Sequence, residues 1–303
     1  MTQQKIVQEI FLPSIHDGIR LEARLSYWKT KENVQEQEDK AVIISHPYGP
    51  LGGNNNNNVV VTVENFFLRK GYLTLAFNFR GSGKSKGRTS WTGEPENNDF
   101  RTMLNFLANS GKISDDNIVI IPKISGVIII GYSYGSLMAT SLTSSPTQYP
   151  FTTSFVLISL PLSVIWFLTF FRSSAYQTNL QNLLSSSSTR VLFIFGDSDQ
   201  FTRASKYKQW IKDNNVLGNE RWNVVELKGV DHFFVYQQME DVLIDVIQKW
   251  LQVDSTSGRT SCPDPSAIPA INIAAIQLKS SERSVQIAHI EAKARLYPSL
   301  GDQ

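Results

Sequence analysis

Six short runs of β-branched and aromatic residues, separated by stretches of helical spacing, constrain this chain more than any other feature. They are AVIISHP (41–47), YLTLAFNFR (72–80), GVIIIGY (126–132), FVLISLP (155–161), RVLFIFG (190–196) and WNVVELKG (222–229). Runs this apolar and this short suit strands covered on both faces, and alternation does not appear until a face meets water. The intervening segments read as helices. VVVTVENFFLRKGY is expected to end near Gly71, residues 97–110 place Phe100, Met103, Leu104 and Leu107 on one face, and SLMATSLTSS follows the third run. Residues 235–252 form an amphipathic stretch with Val235, Met239, Val242, Leu243, Val246 and Trp250 in register. Strands alternating with helices predict an α/β fold with a mostly parallel central sheet flanked by helices. Ahead of it, residues 5–12 and 20–28 alternate as an antiparallel pair around the turn His16-Asp17-Gly18. A sheet of this kind places its site beyond the carboxyl ends of its strands.

Composition narrows the partners. The 303 residues can bury one large core, and a net charge of +2 offers no basic stripe for nucleic acid. Cys262 stands alone, so an intramolecular disulfide is impossible, and four scattered histidines (16, 46, 232, 289) cannot complete a Cys/His zinc cluster. The opening MTQQKIVQEI lacks an apolar signal core and no Asn-x-Ser/Thr sequon occurs, so a cytoplasmic location is expected. One domain is expected over residues 1–253. Beyond it STSGRTSCPDPSAIPA reads as a linker, and 254–303 is expected to be a poorly ordered tail without an assigned role. Asn54–Asn58 reads as a flexible loop tip with no further role. Oligomeric state is not legible.

Three clusters at strand ends carry chemistry. Gly131-Tyr132-Ser133-Tyr134-Gly135 is a G-x-S-x-G sequence between a strand and a helix, where a sharp turn can lift a serine hydroxyl above the sheet. The backbone N–H of Tyr134 would face a developing oxyanion. A second donor must come from His46-Pro47-Tyr48-Gly49; Pro47 has no N–H, so Tyr48 is the nearest competent residue and Gly49 the fallback. In Gly196-Asp197-Ser198-Asp199, Asp197 directly follows the strand and suits turn capping, whereas Asp199 has the reach to orient a histidine. His232, in GVDHFF after the last strand, completes the chain order Ser133, Asp199, His232. His16 and His289 lie outside this constellation, and a structural hydrogen bond is the expected job of His46.

Together GYSYG, GDSD, GVDHFF, HPYGPLGG and FNFRGSGKSKG resemble the α/β-hydrolase superfamily, near its dienelactone-hydrolase and prolyl-oligopeptidase branches, over most of residues 20–252. The resemblance implies a serine hydrolase of carboxylesterase, thioesterase or lipase-like activity on a small-molecule acyl substrate, with no metal or organic cofactor. His46-Pro47 departs from the commoner His-Gly oxyanion motif. A peptidase or acyltransferase of the same fold stays open, as does a non-catalytic protein that uses the fold to bind a lipid surface.

Two stretches invite other readings. FNFRGSGKS contains GKS after a strand, but a phosphate loop needs glycine where Asn78 stands, so Arg80 is expected in a structural ion pair. Residues 152–171 run twenty positions without a charge. A membrane span there would separate Ser133 from Asp199 and His232, so none is expected. Pro161 divides the stretch into a strand and a second piece in a small lid of about 162–188. There Trp166, Phe167, Phe170 and Phe171 are expected to line an acyl pocket, and the piece could also touch a lipid surface peripherally.

Overall fold

The computed structural model describes residues 4–29, 39–114, 117–142, 149–170 and 172–256. The expectations for the linker and tail beyond Thr256, and for Phe171, lie outside the described residues.

The strands are β1 (Gln4–Pro13), β2 (Arg20–Lys29), β3 (Asp39–Ser45), β4 (Leu73–Phe77), the short β5 (Lys112–Ser114) and β6 (Asn117–Ile118), β7 (Ile124–Tyr132), β8 (Thr152–Ile158), β9 (Arg190–Gly196) and β10 (Trp222–Leu227). The main sheet has eight strands in the order β1-β2-β4-β3-β7-β8-β9-β10. Pairing is antiparallel only for β1–β2 and β2–β4; from β4 to β10 every neighbour is parallel. β3, β4 and the carboxyl half of β7 are buried on both faces, which is why their sequences show no alternation.

Among the described residues six α-helices link the strands, α1 (Asn58–Arg69), α2 (Glu94–Ala108), α3 (Tyr134–Ala139), α4 (Ile165–Leu168), α5 (Ser173–Ser185) and α6 (Ala204–Asp213), and α7 (Gln237–Thr256) follows the last strand. Strand order reverses at β3, because the chain leaves it for β4 on one side and later returns as β7 on the other. The crevice beyond the carboxyl ends of β3 and β7 is therefore the topological switch point, where side chains from separate loops can converge.

The asparagine run corrects the expectation of a flexible, roleless tip. Asn57 caps α1 by accepting from the Val59 N–H, and Asn55 is buried, its N–H donating to Asn78 Oδ1 at 2.7 Å. Asn58 Nδ2 reaches the Phe234 carbonyl and Glu240 on α7 at 2.9 and 2.8 Å. Asparagine suits helix caps and tight turns because its short amide competes with the backbone, so low complexity here encodes local hydrogen bonding.

Within the apolar stretch, residues 152–170 contain β8 followed by the four-residue α4. Among the described residues no helix is long and apolar enough to cross a membrane.

Candidate active site

Ser133 sits between β7 and α3 with φ 55° and ψ −118°, a conformation L-residues rarely adopt. Holding a non-glycine residue there costs about 1–3 kcal/mol, supplied by the surrounding packing. Both motif glycines are explained by close approach. A Cβ on Gly131 would lie 2.4 Å from Ser136 Cα, where α3 folds back on its own strand. On Gly135 it would lie 2.4 Å from Ser45 Oγ and 2.8 Å from the His46 carbonyl oxygen, so α3 could not seat against the end of β3.

The structure brings Ser133, His232 and Asp199 together from three strand ends. His232 Nε2 lies 2.8 Å from Ser133 Oγ, and Nδ1 lies 2.7 Å from Asp199 Oδ2. An ionised carboxylate only accepts, so Nδ1 carries the proton and Nε2 presents its lone pair to the serine hydroxyl. All three residues are buried. Asp199 is fixed by the N–H groups of Phe201 and Thr202, which donate to Oδ1 at 2.8 and 2.9 Å. Asp197 does something else: its Oδ1 accepts from the Gly229 N–H at 2.8 Å, joining the loop after β9 to the loop after β10. Gly196 permits that contact, since a Cβ there would come within 2.1 Å of the Val230 carbonyl oxygen.

Several residues that the sequence reading did not single out hold the imidazole. Tyr132 Oη donates to the His232 carbonyl, and the His232 N–H donates to Gln200 Oε1 at 2.9 Å. Phe201 meets the ring edge-on at 4.6 Å between centroids, and Phe233 at 5.6 Å. Motif matching treats the position of Tyr132 as arbitrary, so only its burial beside a loop one hundred residues away reveals the role.

His46 lies beside this site with both nitrogens engaged. Its Nδ1 is 2.6 Å from the Pro47 carbonyl oxygen and its Nε2 accepts from the Phe79 N–H at 3.0 Å. Complete burial pushes its pKa down to about 4, despite the hydrogen bond to Pro47, so the ring is neutral and pins the loop after β3 to the end of β4. Tyr48 follows in that loop, and its ring packs edge-on against Tyr134 at 5.1 Å. Tyr134 opens α3, so its N–H belongs to the helix start, where no intrahelical acceptor exists.

Arg80 is buried and bidentate on Asp99, with Nε to Oδ2 at 3.0 Å and Nη2 to Oδ1 at 2.7 Å, and also reaches Asp17 and Ser14. Lys84 pairs with Glu9, so the GKS segment is spent on internal contacts. Trp166 and Phe167 on α4 and Phe170 just after it stand half-exposed in the connection between β8 and β9. A groove of about 370 Å³ lies elsewhere, at the amino ends of β7 and β8, lined by Lys40, Lys70 and Trp250 among others.

Comparison with known proteins adds four relationships. Residues 17–152 match the model of the X-Pro dipeptidyl-peptidase (S15) family. An uncharacterized protein of Rickettsia prowazekii is 27% identical over 202 residues, covering 65% of this chain and 73% of that protein. Among solved structures, an α/β serine hydrolase homologue from Coxiella burnetii superposes with a TM-score of 0.58 at 19% identity, covering 80% of this chain and 97% of its own. The Pyrococcus furiosus esterase Pf2001 superposes with a TM-score of 0.60 at 19% identity, covering 82% and 92%.

Proposed function

The chain has the α/β-hydrolase fold, and on that premise we propose that it is a serine hydrolase cleaving an ester or thioester through an acyl-enzyme on Ser133. The observation that carries this reading is the unbroken relay of 2.8 Å from Ser133 to His232 and 2.7 Å from His232 to Asp199.

His232 Nε2 takes the hydroxyl proton as Ser133 Oγ bonds to the acyl carbon, and the carbonyl electrons move onto oxygen. The N–H groups of Tyr134 and Tyr48 stabilise that oxyanion. Collapse expels the alcohol or thiol, which leaves with the proton held by His232. Water then repeats the sequence, releasing the acid and restoring the serine. Asp199 holds the ring in the tautomer this requires and stabilises the imidazolium. Trp166, Phe167 and Phe170 contact the acyl part of the substrate, a reading supported by their exposure in the connection after β8, at the carboxyl end of the sheet. The reaction takes place in the cytoplasm, a reading supported by a single cysteine in 303 residues.

Labelling with a fluorophosphonate probe tests the assignment. We expect one labelled site, at Ser133, and none in Ser133→Ala. Labelling retained in that variant rejects the nucleophile.

A peptidase is the second reading, favoured by the S15 match, which includes Ser133. Turnover of X-Pro dipeptidyl anilides faster than of p-nitrophenyl esters would select it.

A further inference from the structure

Exposed aromatic side chains are uncommon on a globular surface, yet this chain gathers five at the carboxyl end of its sheet. Trp91 is 73% exposed, Phe170 59%, Trp166 50%, Phe167 49% and Phe233 40%. They come from three separate connections, after β4, β8 and β10. Trp91 meets Phe170 edge-on at 6.1 Å, which joins the first connection to the second. At the same end of the sheet Phe233 meets Phe201 at 5.7 Å, and Phe201 packs on His232.

The charges around the patch have one prevailing sign. Lys86 and Arg88 are exposed on the same connection as Trp91, and Arg203 is exposed at the start of α6. Glu94 at this rim is already paired with Arg172 at 2.6 Å. Asp231, half-buried beside Phe233, is the one acid left there among the described residues, its Oδ1 accepting from the Phe233 N–H at 3.0 Å, against three cations. The surplus is positive.

We propose that this rim is a docking face for an anionic lipid surface. Trp91 and Phe170 enter the boundary between headgroups and acyl chains, and Lys86, Arg88 and Arg203 face the lipid phosphates. Indole and phenyl rings favour that boundary, and cations beside them add attraction to anionic headgroups. A second copy of the chain fits less well, because a two-fold contact through this patch joins two surfaces of the same positive surplus. The proposal does not rest on the hydrolase reading, since no contact in it involves Ser133.

Co-sedimentation of the full chain with vesicles tests it, comparing phosphatidylcholine–phosphatidylserine vesicles with pure phosphatidylcholine. We expect binding to the mixed vesicles, a blue shift of tryptophan emission and weaker binding as salt rises. Trp91→Ser/Phe170→Ser should lower the partition coefficient about tenfold or more, on the scale of two lost aromatic anchors. Lys86→Ser/Arg88→Ser should reduce the preference for the mixed vesicles, and Ser133→Ala should bind as the parent does even if it proves inactive or fully active. Circular dichroism checks that each variant is folded. The idea fails if the parent chain stays in the supernatant with both vesicles, or if folded Trp91→Ser/Phe170→Ser binds undiminished. It also fails if sedimentation velocity shows a dimer that this variant dissociates.

Discussion

Tyr132 Oη donates a hydrogen bond to the carbonyl oxygen of His232 at 2.5 Å, tying the residue before the serine to the backbone of the histidine that faces it. The two rings lie 5.9 Å apart, and Phe234 closes on Tyr132 from the other side at 6.0 Å. The distance from Ser133 to His232 is thus held by a strut as well as by the loops themselves. Tyr132→Phe keeps the packing and removes the strut. It leaves a buried carbonyl unpaired, a loss of about 1–3 kcal/mol. We expect a lower melting temperature and, for a p-nitrophenyl ester, kcat reduced about tenfold with KM little changed. Equal losses in kcat and KM terms, or none, would reduce Tyr132 to core packing.

Strain at Ser133 gives a paired prediction. Glycine adopts φ near 55° freely, so Ser133→Gly should be more stable than Ser133→Ala by about 1 kcal/mol. Both should lose about 10⁴-fold or more in ester turnover. Urea denaturation of the two variants decides the first point. Equal midpoints would mean that the turn carries no strain.

The two aspartates separate cleanly. Asp199→Asn replaces an acceptor with an amide that can force the wrong imidazole tautomer, and should cost about 10³–10⁴-fold in kcat. Asp197→Asn loses charge on an atom that meets Gly229 and should change kcat by less than about threefold, with a modest fall in stability. The reverse ranking would exchange their roles.

Acid stability should report on His46. Its folded pKa of about 4 lies below the ordinary 6.5, so the unfolded chain binds a proton that the folded chain refuses. The stabilisation is whole above pH 6.5 and drains away as pH falls toward 4, by about 3 kcal/mol. His46→Gln can still accept from the Phe79 N–H but cannot titrate, so its unfolding free energy should fall less over that interval. Urea titrations at several pH values compare the two chains, and parallel curves would remove His46 from the account.

Much of this was legible in one dimension because it depends on neighbours along the chain. Continuous apolar runs such as AVIIS and VLFIF fix buried strands, helical spacing fixes the connections, and strand–turn–helix order around GYSYG fixes the elbow. The asparagine run misled because repeated residues suggest looseness, whereas Asn55, Asn57 and Asn58 each satisfy a different backbone or side-chain partner. Proximity of Trp91 to Phe170 was equally hidden, since 79 positions separate them and neither belongs to a motif.

The sequence alone determined which segments become strands and helices, and hence that Ser133, Asp199 and His232 each stand just past a strand end. Only the tertiary structure decided how Tyr132 braces the imidazole, that Asp197 ties the loop after β9 to Gly229, and that Trp91 meets Phe170. The reason is physical: periodicity records what each residue meets within a few positions, while the distance between two strand ends depends on strand order, twist and the close approaches that Gly131, Gly135 and Gly196 permit.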